Sequence, residues 1–588
     1  MNFYADSSEW KYLMRHALDW DSIIPLYYPT FPTPEGFNNK EELLGFFEEL
    51  LTQTGDWTAN AVKNRAKILD HEGPGKIENF CMIPNEHLEA FYNEAKSLEF
   101  FGLSMDPRYG GLGVPVSISM LAIEQIGRAC PSSFTQIGFF TSIADMIERF
   151  CTDDIKEKYI PMILKAEISG SMCLTEPGAG SDLGSLRTSA EKTTDGTYLL
   201  NGSKIFITNA GGGLALVLAK IKGAPEGLDG ISLFFAKEWL EDEQGNKIKN
   251  YKIVKNEDKM GLHGSFTCEV LYENTKATLV GEEHKGLALM FHLMNEARVA
   301  VGLQSLGGIE ACLSAVRKYA GEREQFGKQL LDLPLYKRNL ESWETQRDAF
   351  RALMVDTVSH FDISQKLDLK KRHHGELTKE ETILYKKSMK VIRRRTPLVK
   401  FYGSELFTNL STKAIQALGG YGFMREYDVE RLHRDSFAPL LYEGTSQIQS
   451  LMALKDLIKY IMKKPSSFFL STLGNSPFVS LTGDASEYQK SFMKTQFEFK
   501  RNLIGLLIHC LKPSSIDKIF KLESWQDPKG IDELMSYAES ITWALSYIET
   551  LRVLAQHASK DEARGELFRR YDRLVAPQFA AIFTEWKL

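Results

Sequence analysis

Three things are missing from this sequence of 588 residues. It has no Cys-x-x-Cys pair. The seven cysteines, Cys81, Cys130, Cys151, Cys173, Cys268, Cys312 and Cys510, are odd in number and scattered. That excludes a disulfide framework or a structural zinc site and fits a reduced, intracellular protein with no metal. It has no excess of positive charge. At a net −6 nothing general draws it to nucleic acid or anionic lipid, so a phosphate-bearing coenzyme would need a local pocket. It also has no long uninterrupted apolar run. The opening MNFYADSSEWKYLMRHALDW is too acidic and too interrupted for a signal peptide, and Leu503 to Leu511, broken by His509, is too short for a bilayer. The expectation is a cytoplasmic protein, at most peripheral to a membrane, without a transmembrane segment.

What is present is a soluble multidomain chain, 43% hydrophobic and 25% charged. After an extension over 1–39, helical spacing runs through 40–167, as in LLGFFEELL and LEAFYNEAKSLEFFG, with PRYGGLGVP as a loop between helices. Over 168–281 the texture changes to short β-branched and aromatic segments such as TYLLNGSKIFITNA and ISLFFAKEWL, which predict a small antiparallel β-domain. Helical periodicity returns over 282–464, and the charged stretch KLDLKKRHHGELTKEE is expected to be an exposed connection between helices. KKPSSFFLSTLGNSP then predicts a linker into an additional helical domain within 465–588, with Trp525, Trp543 and Trp586 available for packing. The fold class is therefore α+β, mostly α, and not the βαβα alternation of a doubly wound dinucleotide fold.

Four segments carry the candidate chemistry. In CLTEPGAGSD, Gly178, Ala179 and Gly180 let backbone N–H groups approach a phosphate, and Thr175 and Ser181 add hydroxyls. The segment lacks the last glycine of a Rossmann fingerprint and opens no predicted helix. KIFITN, from Lys204, predicts an apolar strand ending in Thr208 and Asn209, in isolation no more than a buried strand edge. In QALGGYGFMREYDVERLHRD, Gly419, Gly420 and Gly422 would weaken a helix, marking a close approach of backbone or ligand, or a simple helix-breaking turn. In LLYEGTSQIQ one carboxylate, Glu443, follows an apolar run and precedes Gly444. Poor hydration there would raise its pKa and make it a better base near neutrality, although most glutamates in such loops are simply exposed.

In this order, with GEREQFG between the second and third, these segments resemble the acyl-CoA dehydrogenase family over about 40–464. The resemblance implies an N-terminal helical domain, a middle β-domain and a C-terminal four-helix bundle, with FAD between the last two. It implies that Met172, Leu174, Thr175 and Ser181 line the flavin and its phosphates, that Phe206, Ile207 and Thr208 flank it, and that Thr445 and Gln447 hold the adenine half. Arg323, Phe326, Gln416, Gly419 and Gly420 would be contributed to FAD by a neighbouring subunit, so a dimer or larger homo-oligomer follows. Acyl-CoA would meet Ser181, Asn295, Arg298 and Gly444, and Glu443 would take the α-proton of the thioester as the β-hydride leaves, giving a trans-2-enoyl-CoA. An alternative base position in the family falls on Ala297, which cannot accept a proton. Two departures stand out: Asn295 replaces a common Asp, and Leu333-Pro334 replaces a pair that usually touches flavin.

The extra residues at both ends are similar to the larger family members, such as very-long-chain and 3-methylmercaptopropionyl-CoA dehydrogenases. In one such branch the tail favours dimers. On the helix reading SSFTQIGFFTS, Gly138 would deepen the acyl pocket and Phe134 would shorten it, and the reading leans to medium-to-long fatty acyl chains. Electron-transfer flavoprotein is the implied acceptor. The rival functions are an acyl-CoA oxidase, which reoxidises with oxygen, and a DNA-binding flavoprotein of the family. The near balance of basic and acidic residues after Lys464 argues against the second.

Overall fold

The computed structural model describes residues 1–463, 485–512 and 528–587. Trp525 and all but the first residue of the linker KKPSSFFLSTLGNSP lie outside them. The extension holds two short helices, α1 (Ser8–His16) and α2 (Trp20–Tyr27), whose N-caps Ser7 and Asp19 accept from the N–H groups of Trp10 and Ser22. They bury Trp10, Leu13, Met14, Trp20, Ile23 and Ile24, so the segment is part of the core rather than an appendage.

The first domain contains α3 (Lys40–Trp57), α4 (Lys63–Glu72), a hairpin of β1 (Gly75–Glu78) and β2 (Cys81–Pro84), α5 (Glu86–Ser97), α6 (Val116–Ala129), α7 (Pro131–Phe150) and α8 (Asp153–Leu164). PRYGGLGVP does lie between helices, α5 and α6. The middle domain contains β3 (Ser169–Cys173), β4 (Ser189–Lys192), β5 (Tyr198–Thr208), β6 (Gly213–Ile221), β7 (Ile231–Lys237), β8 (Trp239–Glu241), β9 (Lys247–Lys249), β10 (Lys252–Asn256) and β11 (Thr267–Val280). Seven of these strands form one sheet in the order β10-β11-β5-β4-β6-β3, and β7 pairs with both β11 and β6. Most pairings are antiparallel, as expected, but β3 and β4 both run parallel to β6.

The bundle is built from α9 (Gly286–Glu322), α10 (Pro334–His374), α11 (Lys379–Leu418) and, after the short α12 (Asp428–Asp435) and α13 (Ala438–Leu441), α14 (Ser446–Lys463). By length and composition α9 could cross a membrane, but most of it is buried in the core. Helix α6 crosses α9 closely: a Cβ on Gly307 would sit 2.5 Å from the Arg128 nitrogen. One expectation is corrected here. KLDLKKRHH is not a connection but the last turns of α10, and only Gly375 to Thr378 joins it to α11. Lys371, Arg372, His373 and His374 oppose the negative end of the helix dipole, and Arg372 pairs with Asp368 one turn back at 2.7 Å. Gly375 then ends the helix at φ +82.

The tail forms α15 (Glu487–Leu511), α16 (Pro528–Ser536), α17 (Ala538–Lys560) and α18 (Gly565–Glu585). Helix α17 packs on α10, α11 and α14. Trp543 meets Phe401 and Tyr402 with ring centroids 5.0 and 5.8 Å apart, and the Tyr402 and Tyr571 hydroxyls are 3.0 Å apart. The buried Glu549 accepts from Arg395 at 3.1 Å. Trp586 is buried as well. All seven cysteines are unpaired.

Candidate active site

CLTEPGAGSD begins as β3 and leaves it in a tight turn in which Glu176 and Ala179 exchange both backbone hydrogen bonds at 3.0 Å. Glu176 turns inward. Its carboxylate accepts from the N–H groups of Arg187 (2.6 Å) and Thr188 (3.0 Å), from the Thr188 hydroxyl (2.6 Å) and from Lys204 (2.7 Å). Lys204 is fully buried and also donates to the Leu174 carbonyl at 2.9 Å, while Ile205 N–H donates to the Thr175 carbonyl at 2.9 Å. The first two motifs are thus one unit, joined by a buried ion pair. Burial alone would raise the Glu176 pKa, but Lys204, the Thr188 hydroxyl and the Arg187 N–H together outweigh it and hold the carboxyl below its ordinary range.

Among the proposed flavin residues, Thr175 and Ser181 lie on the open side of this turn, Met172 is half-buried, and Leu174 is buried. Along β5 the alternation leaves Phe206 exposed and Ile207 in the core, with Thr208 half-exposed. The side chains of Leu174 and Ile207 therefore face away from a surface ligand, and only their backbone could meet one. Phe206 is held at φ +59, in the left-handed region, with its ring 60% exposed. An aromatic strained into solvent beside a glycine turn with open space over Gly178 fits a flat conjugated cofactor such as FAD.

Helix α12 anchors the third motif to the β-domain, where Asp435 accepts from the Leu262 N–H at 2.6 Å. The glycine segment itself forms a single-turn helix, Gly419–Phe423, after α11. Arg323, Gln416, Gly419 and Gly420 line a surface cavity of about 600 Å³ with Tyr319, Tyr336 and Tyr421. Phe326 is 92% exposed nearby in sequence. The residues expected to serve a second subunit are therefore all surface residues, and four of them converge.

The fourth motif holds the candidate base. Glu443 occupies the turn between α13 and α14 at φ +57, followed by Gly444 at φ +94. Neighbouring side chains fix the carbonyls of this turn. Arg298, buried on α9, donates to the Glu443 carbonyl at 3.2 Å and to Asn295 at 3.3 Å. Gln449 donates to the Glu443 carbonyl at 2.8 Å, and Lys400 on α11 donates to the carbonyls of Gly444 (2.6 Å) and Leu440 (3.2 Å). The Tyr442 hydroxyl bonds Gln304, which donates to the Pro131 carbonyl at 2.9 Å. Thr445 is half-buried and Gln447 exposed at the start of α14.

The Glu443 carboxylate itself is left without a partner. Oε2 is buried and accepts no hydrogen bond. Although part of the residue opens outward, its surroundings are poorly hydrating, and burial pushes its pKa up to about 7 against the lowering influence of Arg298 and Lys400. A carboxylate fixed in place, unshared and poised near neutrality is suited to proton abstraction. Ala297 sits one residue before Arg298 and offers no acceptor. Sequence reasoning missed Glu176, Lys204, Lys400 and Gln449. The only signal was a lysine inside one apolar run, LVKFYG, and another at the head of a second, KIFITN.

The chain matches the acyl-CoA dehydrogenase N-terminal domain over 50–167, the middle domain over 171–275 and the C-terminal domain over 284–458. It is 31% identical over 468 residues to 3-methylmercaptopropionyl-CoA dehydrogenase of Ruegeria pomeroyi, covering 76% of this chain and 75% of that one. It is 31% identical over 397 residues to caffeyl-CoA reductase-Etf complex subunit CarC of Acetobacterium woodii, covering 67% and 95%. A Bacillus anthracis acyl-CoA dehydrogenase, solved with FAD, superimposes with a TM-score of 0.75 over 98% of this chain and 91% of that one, at 22% identity.

Proposed function

Because the chain belongs to the acyl-CoA dehydrogenase family of FAD-dependent oxidoreductases acting on CH–CH groups, we propose that it converts a medium-to-long-chain fatty acyl-CoA to the trans-2-enoyl-CoA, with Glu443 as the base, as in fatty-acid β-oxidation. The observation that carries this reading is the unpartnered, buried Oε2 of Glu443. FAD, when bound, supplies the acceptor for the β-hydride.

The chain's own residues do the rest. Glu443 takes the α-proton, and Arg298, Gln449 and Lys400 hold its turn so that the carboxylate is aimed rather than free. Thr175, Ser181, Phe206 and Thr208 hold the flavin portion, with the backbone at Leu174 and Ile207 and the side chain of Met172 beside it. Thr445 and Gln447 serve the adenine portion. Arg323, Phe326, Gln416, Gly419 and Gly420 complete the site of a second subunit, so the active form is a dimer or larger. Asn295, Arg298, Ser181 and Gly444 contact the acyl-CoA. The acceptor after turnover is electron-transfer flavoprotein, supported by the likeness to a subunit of an Etf complex.

The test is anaerobic mixing of the holoenzyme with butyryl-, octanoyl- and palmitoyl-CoA while the flavin absorbance is followed. Bleaching is expected with all three and fastest with octanoyl- or palmitoyl-CoA. A maximum at butyryl-CoA overturns the chain length, and no bleaching at all overturns the function. Oxygen consumption matching turnover without an added acceptor would make the protein an oxidase instead.

The same reaction carries a pH signature. Glu443 abstracts a proton only when ionised, and its pKa is about 7. The rate of flavin reduction is therefore expected to climb with pH through neutrality and to fall off on the acid side. A rate flat across neutrality would show that a different group, or an unperturbed carboxylate, does the work.

A further inference from the structure

The base turn rests on a lysine with no surface exposure. Lys400 lies in the middle of α11, 0% exposed, and its ammonium reaches the Leu440 and Gly444 carbonyls at 3.2 and 2.6 Å. These two carbonyls bracket Glu443 in the chain. An apolar side chain of the same length would fill this space without desolvating an amine, and burial does depress the Lys400 pKa, to about 7. What the amine adds is a two-point grip on the turn and, while it is protonated, a positive charge near the carboxylate.

We infer that Lys400 is a positioning residue for proton abstraction: it holds, through the carbonyls on either side, the left-handed turn that aims Glu443. The inference rests on Glu443 being the base. Left-handed backbone is costly for a glutamate and persists only where its surroundings over-determine it. Three donors do so here, one from each of three helices. Arg298 on α9 and Gln449 on α14 share the Glu443 carbonyl, and Gln449 also approaches the Gly444 carbonyl at 3.3 Å. Lys400 on α11 alone reaches back to Leu440, before the base. It therefore fixes the entry to the turn as well as its exit. Helix α14 is tied to the same stretch of α11 by Ser446, which donates to Glu405 at 2.6 Å.

Charge gives the grip a second consequence. The charged groups facing Lys400 are Glu443 on the turn, Arg298 on α9 and Glu405 on its own helix. Those facing Glu443 are Arg298 and Lys400, and both favour the ionised carboxylate. Removing the amine therefore raises the Glu443 pKa by taking away the positive charge that Lys400 carries on the acid side of neutrality. The base then ionises only at higher pH. A lysine that merely filled space would leave that titration where it is.

The experiment compares the wild type, Lys400→Met and Lys400→Gln as holoenzymes, using whichever of butyryl-, octanoyl- and palmitoyl-CoA bleaches the wild type fastest. Flavin content, acyl-CoA dissociation constant and anaerobic reduction rate are measured across pH. Lys400→Met is expected to keep FAD and to bind acyl-CoA within a few-fold of wild type, yet to reduce flavin on the order of 10- to 100-fold more slowly. The rising limb of its pH profile should move to higher pH. Lys400→Gln, which keeps one donor without the charge, should lie between in rate and move the limb in the same direction. It carries the test if Lys400→Met does not fold. A wild-type rate with an unmoved limb in either variant overturns the inference. So does a slower rate that tracks FAD loss with an unmoved limb. If no acyl-CoA bleaches the wild type, the base assignment falls and this inference with it, whereas a bleached wild type with unaffected variants removes the inference alone.

Discussion

Glu443→Gln is expected to retain FAD, to bind acyl-CoA about as well as the wild type, and to reduce flavin roughly 10⁴-fold or more slowly. That loss corresponds to at least about 5 kcal/mol of activation free energy. The substitution changes almost nothing else. The contacts that hold residue 443 are made to its backbone carbonyl by Arg298 and Gln449 and to the flanking carbonyls by Lys400, and none needs the carboxylate. The left-handed φ of +57 strains glutamine and glutamate alike. Only the ability to take a proton is removed. The nearest competing carboxylate in sequence on α9, Glu296, is turned toward Ser142 on α7, which donates to it at 2.9 Å. Retention of normal reduction by the variant would mean that the base has been misassigned, and the double variant with Glu296→Gln would show whether it is that residue.

Lys204→Met is expected to be the most damaging single change outside the base turn, costing on the order of 3–5 kcal/mol of stability. Lys204 and Glu176 side chains are 0% and 7% exposed, and the pair is 2.7 Å apart. Without the ammonium a carboxylate stays buried with only its bonds to Arg187 and Thr188. The Leu174 carbonyl loses its donor as well. Because that turn presents Thr175 and Ser181, the protein should purify with far less than one FAD per chain and melt at a lower temperature. Glu176→Gln, which keeps an acceptor for the two N–H groups, should be milder in both measurements. Full flavin content and an unchanged melting temperature in Lys204→Met would show that the ion pair does not support the turn.

The parts of the molecule legible from the sequence were those whose signal is local. Helical periodicity over α3 to α8, strand texture over β3 to β11 and four short motifs, one of them only the length of KIFITN, gave the architecture and the candidate base. What escaped was non-local. The parallel pairing of β3 with β6 joins residues such as Met172 and Leu216, which no window contains together. Lys204 and Glu176 are 28 positions apart, and Lys400 and Gly444 are 44 apart. In both cases a lysine in or at the head of an apolar run was the trace left by a partner elsewhere. KLDLKKRHH misled in the other direction. Dense charge suggested a connection, but lysine and arginine are good helix formers when placed at a helix C-terminus. Within the flavin motifs, a residue's presence in the pattern did not tell which way it faced, as Leu174 and Ile207 show.

The first two helices lie against α10, and α1 is also clasped by the turn before α18. Glu9 on α1 pairs with Arg564, 555 positions away, at 2.7 Å, the Asp19 N–H donates to Ser359, and the Tyr27 hydroxyl donates to Asp362. During synthesis at roughly 5–20 residues per second, α1 leaves the ribosome about half a minute to two minutes before its partner exists. Trp10 need not wait so long, because Arg351 on α10 lies 5.2 Å from its ring. The ion pair to Arg564 therefore closes only after the surface that α1 and α2 share with α10 already exists.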